Sequence, residues 1–367
     1  SEEEFLGRQF DLGLAWVQFP EGEGGLGLSP KLARTIISRV SRAGGPIGGT
    51  KNPIGYGMCG PAVQVHGTPE QKQLLRPLFT NEHIWCQLFS EPGAGSDVAS
   101  LSARAVRDGD EWILNGQKVW TTLAHISSYG LIIARTDPEL PKHRGLTAFI
   151  VDMHAPGVEV KPLRQITGEA EFNEVFFTDV RIPDSMRVDD VGRGWGVSLT
   201  TLMNERVSIG GGTPPRNSGP IGQLLELWKQ RDIDDPAVRY EFMKLWVAAE
   251  VNRLTNMRAA GNRKLGTPGP EGSVGKLAMA ELNKKIYSFA MDIQGADGML
   301  ISSYEFHAPK VALFGDDIGK NFLRARANSI EGGTSEVMRN ILGERVLGLP
   351  GDVLVDKYLP WSQVPRS

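Results

Sequence analysis

The residues best suited to chemistry lie between Gln87 and Thr122. The run Glu91-Pro92-Gly93-Ala94-Gly95-Ser96-Asp97 combines one Pro with two Gly, so it resists regular structure and leaves backbone N–H groups facing outward. That is a phosphate cradle in outline. Downstream, Lys118-Val119-Trp120-Thr121-Thr122 sets a large flat ring beside two hydroxyls, a wall that suits a planar polar cofactor. Other chemistries lack their residues. His66, His83, His125, His143, His154 and His307 show no HxxxH or HExxH spacing, and no metal is expected. Cys59 and Cys86 stand far apart without a CxxC pattern and read as small core residues of a protein from a reducing cytosol. There is no GxSxG and no P-loop. Gly22-Glu23-Gly24-Gly25-Leu26-Gly27 spells GxGxxG, but Pro20 stands just before it and no βαβ unit with a well-placed acid follows, so it reads as a loop.

The elements that must position these residues follow from periodicity. From Glu2 to about Ile84 apolar residues recur at helical spacing, as in Leu32, Ile36, Ile37 and Val40, and Thr68-Pro69 has the form of a helix start. From Trp85 to about Pro183 the period falls to two, with strands expected at 102–107, 111–114, 131–134, 146–151, 158–160 and 174–177. Asp108-Gly109-Asp110 reads as a tight hairpin and Asn115-Gly116 as a second turn. A turn-rich hinge, Asp189 to Gly196, leads back to long amphipathic segments running to about Leu347, with loops around 210–220, 266–272 and 295–303. The expectation is an α+β chain. It comprises an N-terminal helical domain over 1–84, a middle antiparallel β-barrel or sandwich domain over 85–190, a C-terminal helical bundle over 191–349, and a surface tail over 350–367.

A chain of 367 residues is long for one core, in agreement with this division. Its net charge of −3 is spread over mixed signs, so no polybasic stripe marks a nucleic-acid or membrane partner, and small molecules are the expected ligands. No apolar run approaches a membrane span, and the acidic start SEEEFLGRQF is unlike a secretory signal. These features place the protein in the cytoplasm.

In the order and spacing of EPGAGSD, DGDEWILNGQKVWTT and GGTSEVMRNILGERVLGLP, the chain closely resembles the acyl-CoA dehydrogenase family, from about Gly13 to Pro350. The start falls later than in most members, as though one N-terminal helix were missing. The resemblance implies a three-part fold: helical domain, β-barrel domain and four-helix bundle, with FAD between the last two. It further implies removal of an α-proton from an acyl-CoA thioester with passage of a β-hydride to the flavin. An electron-transfer flavoprotein would take the electrons, and the assembly would be a homo-oligomer, a dimer or tetramer.

In many members the catalytic glutamate directly precedes Gly-Thr-Ser, but here that position is Gly332. A subgroup carries the base on an early bundle helix before an arginine, and Asn204-Glu205-Arg206 fits that pattern. The resemblance therefore assigns the base to Glu205, which shares an amphipathic run with Leu199, Leu202 and Met203 that would raise its pKa. Glu331 is the fallback. The matched flavin contacts are Gln87, Leu88, Ser90, Gly95, Ser96, Trp120, Thr121 and Thr122, the last beside flavin N5, with Thr334 and Glu336 near the adenosine part. Ser96, Asn204 and Arg206 are the matched acyl-CoA contacts. Two segments depart from the family's inter-subunit flavin motifs, residues 230–235 (Gln-Arg-Asp-Ile-Asp-Asp) and 292–298 (Asp-Ile-Gln-Gly-Ala-Asp-Gly). The alternatives are an acyl-CoA oxidase, and a non-catalytic, flavin-holding subunit that supports a paralogous partner in a hetero-oligomer.

Overall fold

The computed structural model describes residues 1–210, 213–262, 272–301, 303, 305–306, 317–353 and 355–365, with 206–210 and 261–262 described by their backbone alone. Of the residues singled out above, His307, the side chain of Arg206 and most of the loop expected at 266–272 lie outside the described residues.

The first unit holds α1 (Glu2–Asp11), α2 (Leu32–Arg42), a single π-turn at Gly55–Cys59, α3 (Gly60–His66), α4 (Pro69–Lys72) and α5 (Leu75–Phe79). Thr68 caps α4 in a capping box with Gln71, and Pro69 occupies its first turn. The Gly22–Gly27 run serves an aromatic cluster in which Trp16 stacks between Phe19 and Tyr56, each centroid 5.1 Å away. A Cβ on Gly25 would come within 2.1 Å of the Phe19 carbonyl oxygen. This close approach demands glycine, so the GxGxxG pattern is a packing device.

The middle unit contains β1 (Trp85–Leu88), β2 (Arg104–Asp108), β3 (Glu111–Thr122), β4 (Tyr129–Arg135), β5 (Leu146–Asp152), β6 (Val158–Pro162), β7 (Phe172–Pro183) and β8 (Arg187–Val188). They pair in the order β6-β7-β3-β2-β4-β5-β8, with β1 beside β4. Most ladders are antiparallel, but β1 runs parallel to β4, so the sheet is mixed. The chain enters β1 from a helix and not from a hairpin, so no tight turn fixes its direction. Along β4 the residues face two cores in alternation: Leu131 and Ile133 pack toward the helical units, Ile132 and Ala134 into the sheet's other side. Burial on both faces explains the unbroken apolar run Leu131-Ile132-Ile133-Ala134.

Gly109, at φ +63°, makes the expected hairpin between β2 and β3. Asn115-Gly116 does not turn. It is a bulge inside β3, which continues to Thr122 along β7 with a register shift between Leu114 and Gly116. Gly116 sits at φ +147°, and a Cβ there would lie 2.6 Å from that of Ala103. The long pairing with β7 overrides the local turn signal.

The hinge Asp189–Arg193 leads into α6 (Gly194–Gly210), followed by α7 (Pro220–Gln230), α8 (Pro236–Asn262), α9 (Gly272–Gln294), α10 (Ile318–Arg324) and α11 (Ser335–Arg345). Helix α9 is the axis of this unit, touching each of the other five. Its Ile286 and Ala290 share a core with Ile221, Leu224 and Leu227 of α7 and Phe242 of α8. The start of α6 packs on β5, where a Cβ on Gly194 would sit 2.7 Å from the Thr147 backbone. Val197 of α6 joins the core shared by the first two units.

Candidate active site

The cradle is held by a buried ion pair that periodicity alone did not single out. Lys118 lies on the inward phase of β3, with Trp112 and Leu114, and its side chain is completely buried. Its ammonium donates to Glu91 Oε1 at 2.8 Å and to the Phe89 carbonyl at 3.0 Å. Glu91 also accepts from Ser102 N (2.6 Å), Ser102 Oγ (2.9 Å) and Ala103 N (2.9 Å). Burial works to raise the Glu91 pKa, but Lys118 and these donors outweigh it and hold the carboxyl below its ordinary value. The first residue of the cradle is thereby fixed. A backbone bridge between Glu91 and Ala94 closes the turn, and Cβ atoms on Gly93 or Gly95 would meet nothing within 4 Å, so the cradle is open outward.

Beside it, Val119 N donates to Ser90 O at 2.9 Å, which joins the Gln87–Ser90 segment to the end of β3. There a second bulge lies between Lys118 and Thr121, with Trp120 at φ +59°. The bulge turns the Trp120 ring outward, 59% exposed and edge-on to Phe172, and drives Thr121 inward. Thr121 Oγ1 is buried without a hydrogen-bond partner, and so is Gln87 Oε1. They are two of ten such atoms among the described residues, and they lie on β1 and at the end of β3, beside the cradle.

From the helical side, α6 brings Glu205 to this place. Gln87 Nε2 of β1 donates to Glu205 Oε2 at 3.4 Å. Asn204, its neighbour, folds back on its own helix and donates to Thr200 O at 2.8 Å. The third side is the turn before α11, where Gly332 (φ +62°) and Gly333 (φ +92°) adopt left-handed backbone. Lys276 of α9, buried, donates to Asn328 O at 2.9 Å and to Gly333 O, pinning that turn. Burial pulls its pKa down, against the upward pull of Glu331, Glu205, Glu281 and Glu336. One ammonium thus feels both the Glu205 carboxylate and that of Glu331.

Glu331 is committed elsewhere: Arg324 grips it with two bonds, at 3.2 and 2.7 Å, and Asn328 Nδ2 donates at 2.8 Å. Thr334 caps α11, its hydroxyl accepting from Val337 N at 3.1 Å. Glu336 points to solvent, paired with Arg339 at 3.3 Å. The structure therefore gathers Gln87, Leu88, Ser90, the cradle with Gly95 and Ser96, and Trp120 to Thr122 around one edge, and Gln87 links them to Glu205. The two departing segments are tied to each other by Arg231 Nη2 and Asp297 Oδ2, 2.9 Å apart. A cleft of about 280 Å³ opens beside that pair.

Comparison with known proteins agrees along the chain. Residues 2–82, 86–180 and 192–347 match the N-terminal, middle and C-terminal domain models of acyl-CoA dehydrogenase. Acyl-CoA dehydrogenase IpdE1 of Mycobacterium tuberculosis is 37% identical over 340 residues, 92% of this chain and 85% of that protein. Among solved structures, the Tcur3481-Tcur3483 steroid ACAD is similar at 28% identity and a TM-score of 0.77, over 95% of this chain and 89% of that one. The ChsE4-ChsE5 complex from Mycobacterium tuberculosis is similar at 29% identity and a TM-score of 0.76, over 96% and 90%.

Proposed function

We propose, from the premise that this chain belongs to the acyl-CoA dehydrogenase family of flavoprotein oxidoreductases, that it binds FAD and converts an acyl-CoA thioester to the trans-2-enoyl-CoA with Glu205 as base. The observation that carries the reading is the 3.4 Å contact of Gln87 with Glu205, which sets a carboxylate beside a Gln87 Oε1 that has no protein partner. Gln87, Leu88, Ser90, Gly95, Ser96 and Trp120 to Thr122 would hold the flavin, and Thr334 and Glu336 its adenosine end. Ser96, Asn204 and Arg206 would meet the acyl-CoA.

When bound, the flavin supplies the two-electron acceptor for the β-hydrogen and its electron pair. The chain's own part is acid–base and positional. Glu205 takes the α-proton as the bonding pair of the α-C–H becomes the new C=C bond. Lys276 fixes the turn before α11, and the Lys118–Glu91 pair fixes the cradle. We place the reaction in the cytoplasm, with an electron-transfer flavoprotein as oxidant of the reduced enzyme.

The assembly we propose is an oligomer of this fold, a homodimer or dimer of dimers. Its support is helix α8, which leaves Tyr240, Met243, Val247, Val251, Leu254 and Met257 exposed at spacings of three and four along one stripe. A paralogous partner in place of a second copy is the other reading. It is favoured by the altered 230–235 and 292–298 segments and by similarity to structures whose names give two components.

The test is anaerobic titration of the purified protein with straight, branched and ring-bearing acyl-CoA thioesters, following bleaching of the flavin. A competent substrate should bleach wild type, and Glu205→Gln should keep the yellow colour while bleaching 10²–10⁴-fold more slowly, on the order expected for loss of a general base. A Glu205→Gln protein that bleaches at the wild-type rate refutes the assignment. Reoxidation by air at the rate given by the acceptor protein would make it an oxidase.

A further inference from the structure

The tail is tied to the far end of the cradle. Trp361 Nε1 donates to Ser100 O at 3.1 Å, Trp361 N to Leu140 O at 2.9 Å, and Ser362 N to Pro138 O at 2.9 Å. Arg135 stands behind this contact. Its guanidinium lies 4.5 Å over the Trp361 ring while donating to the carbonyls of Ala99, Leu101 and Lys142. The Lys142 ammonium, only 12% exposed, sits between Asp97 at 2.8 Å and Asp356 at 2.7 Å. His143, next in sequence, packs edge-on against Trp195 in the first turn of α6, 4.6 Å between centroids. Asp97 directly follows Ser96, so one lysine couples the cradle's exit to a residue some 260 positions away. A tail kept only for solubility has no need of an ion pair and a stacked indole on that one segment.

We propose that Asp356 to Ser362 form a positioning strap: through Lys142, Asp97 and the Trp361–Ser100 bond it holds residues 97–101 so that Gly95 and Ser96 are preset for the diphosphate-bearing cofactor. The inference rests on the flavin reading of the cradle, and its experiment separates the two. Backbone hydrogen–deuterium exchange over 95–101 and the dissociation constant of added FAD for flavin-stripped protein are measured on wild type, Asp356→Ala, Trp361→Ala, Trp361→Phe and Tyr358→Ala. Tyr358 is 80% exposed on the same tail and serves as control.

Asp356→Ala and Trp361→Ala should each speed exchange over 95–101 and weaken FAD binding by about three- to tenfold, the range expected for losing one partly buried ion pair or cation–π contact. Trp361→Phe keeps a ring under Arg135 but loses the bond to Ser100, so it should fall between wild type and Trp361→Ala. Tyr358→Ala should match wild type in both measurements. Unchanged exchange over 95–101 in both alanine variants overturns the strap. Faster exchange with FAD affinity unaltered overturns its positioning role. If wild type takes up no FAD, the flavin reading fails with the preset claim, while exchange still decides whether the tail holds the segment.

Discussion

Replacing Lys118 with methionine should damage the protein more than any surface charge change, because it strands a carboxylate inside the β domain. Lys118 is fully buried and Glu91 is 6% exposed. Breaking a buried pair from one side typically costs about 3–5 kcal/mol, since the remaining charge stays desolvated. Here Glu91 retains the two Ser102 donors and Ala103 N, which offset part of that cost, so about 3 kcal/mol is expected. Urea denaturation followed by tryptophan fluorescence measures it. The double variant Glu91→Gln/Lys118→Met removes both charges and should recover part of the loss, the amide oxygen still accepting from Ser102 while its NH2 loses the Ala103 bond.

The pH dependence carries a sign. The Glu91 pKa lies below its ordinary 4.5 in the fold, so its contribution is fully present above about pH 4.5 and is lost as pH falls through the depressed folded value. Without the ammonium, burial is opposed only by the remaining hydrogen bonds and the folded value climbs. Acid destabilisation of Lys118→Met should therefore begin at higher pH than in wild type. A Lys118→Met protein within about 1 kcal/mol of wild type, or a double variant no more stable than the single one, would refute the reasoning.

Glu331→Gln should leave flavin reduction within a few-fold of wild type while lowering thermal stability, because the carboxylate is engaged by Arg324 and Asn328; abolished reduction would move the base to that turn. Val247→Glu on α8 should shift the protein toward monomer in sedimentation velocity, and an unchanged oligomer would exclude that stripe as the interface. Native Cys86 should resist iodoacetamide, since burial pushes its thiol up to about 12 and leaves almost no thiolate at neutral pH; rapid labelling in the folded protein would contradict this.

What the sequence discloses depends on how far apart the cooperating residues lie. The cradle and the Trp120 wall fall within some thirty-five residues, so turn chemistry and strand period locate them together. Lys118 shows half a signal, a cation on the inward phase of β3; its partner is evident only once the fold brings Glu91 beneath it. Asn115-Gly116 misleads because a hairpin signal is local, whereas β3 is kept continuous across its bulges by a partner strand some sixty residues downstream. The helical side of the site is legible only through family likeness, since no periodicity relates α6 to the turn before α11. The structure adds the physical link. Lys276 pins the turn that holds Gly332 through its bond to Gly333 O, and burial lowers its pKa against the upward pull of Glu331 and Glu205.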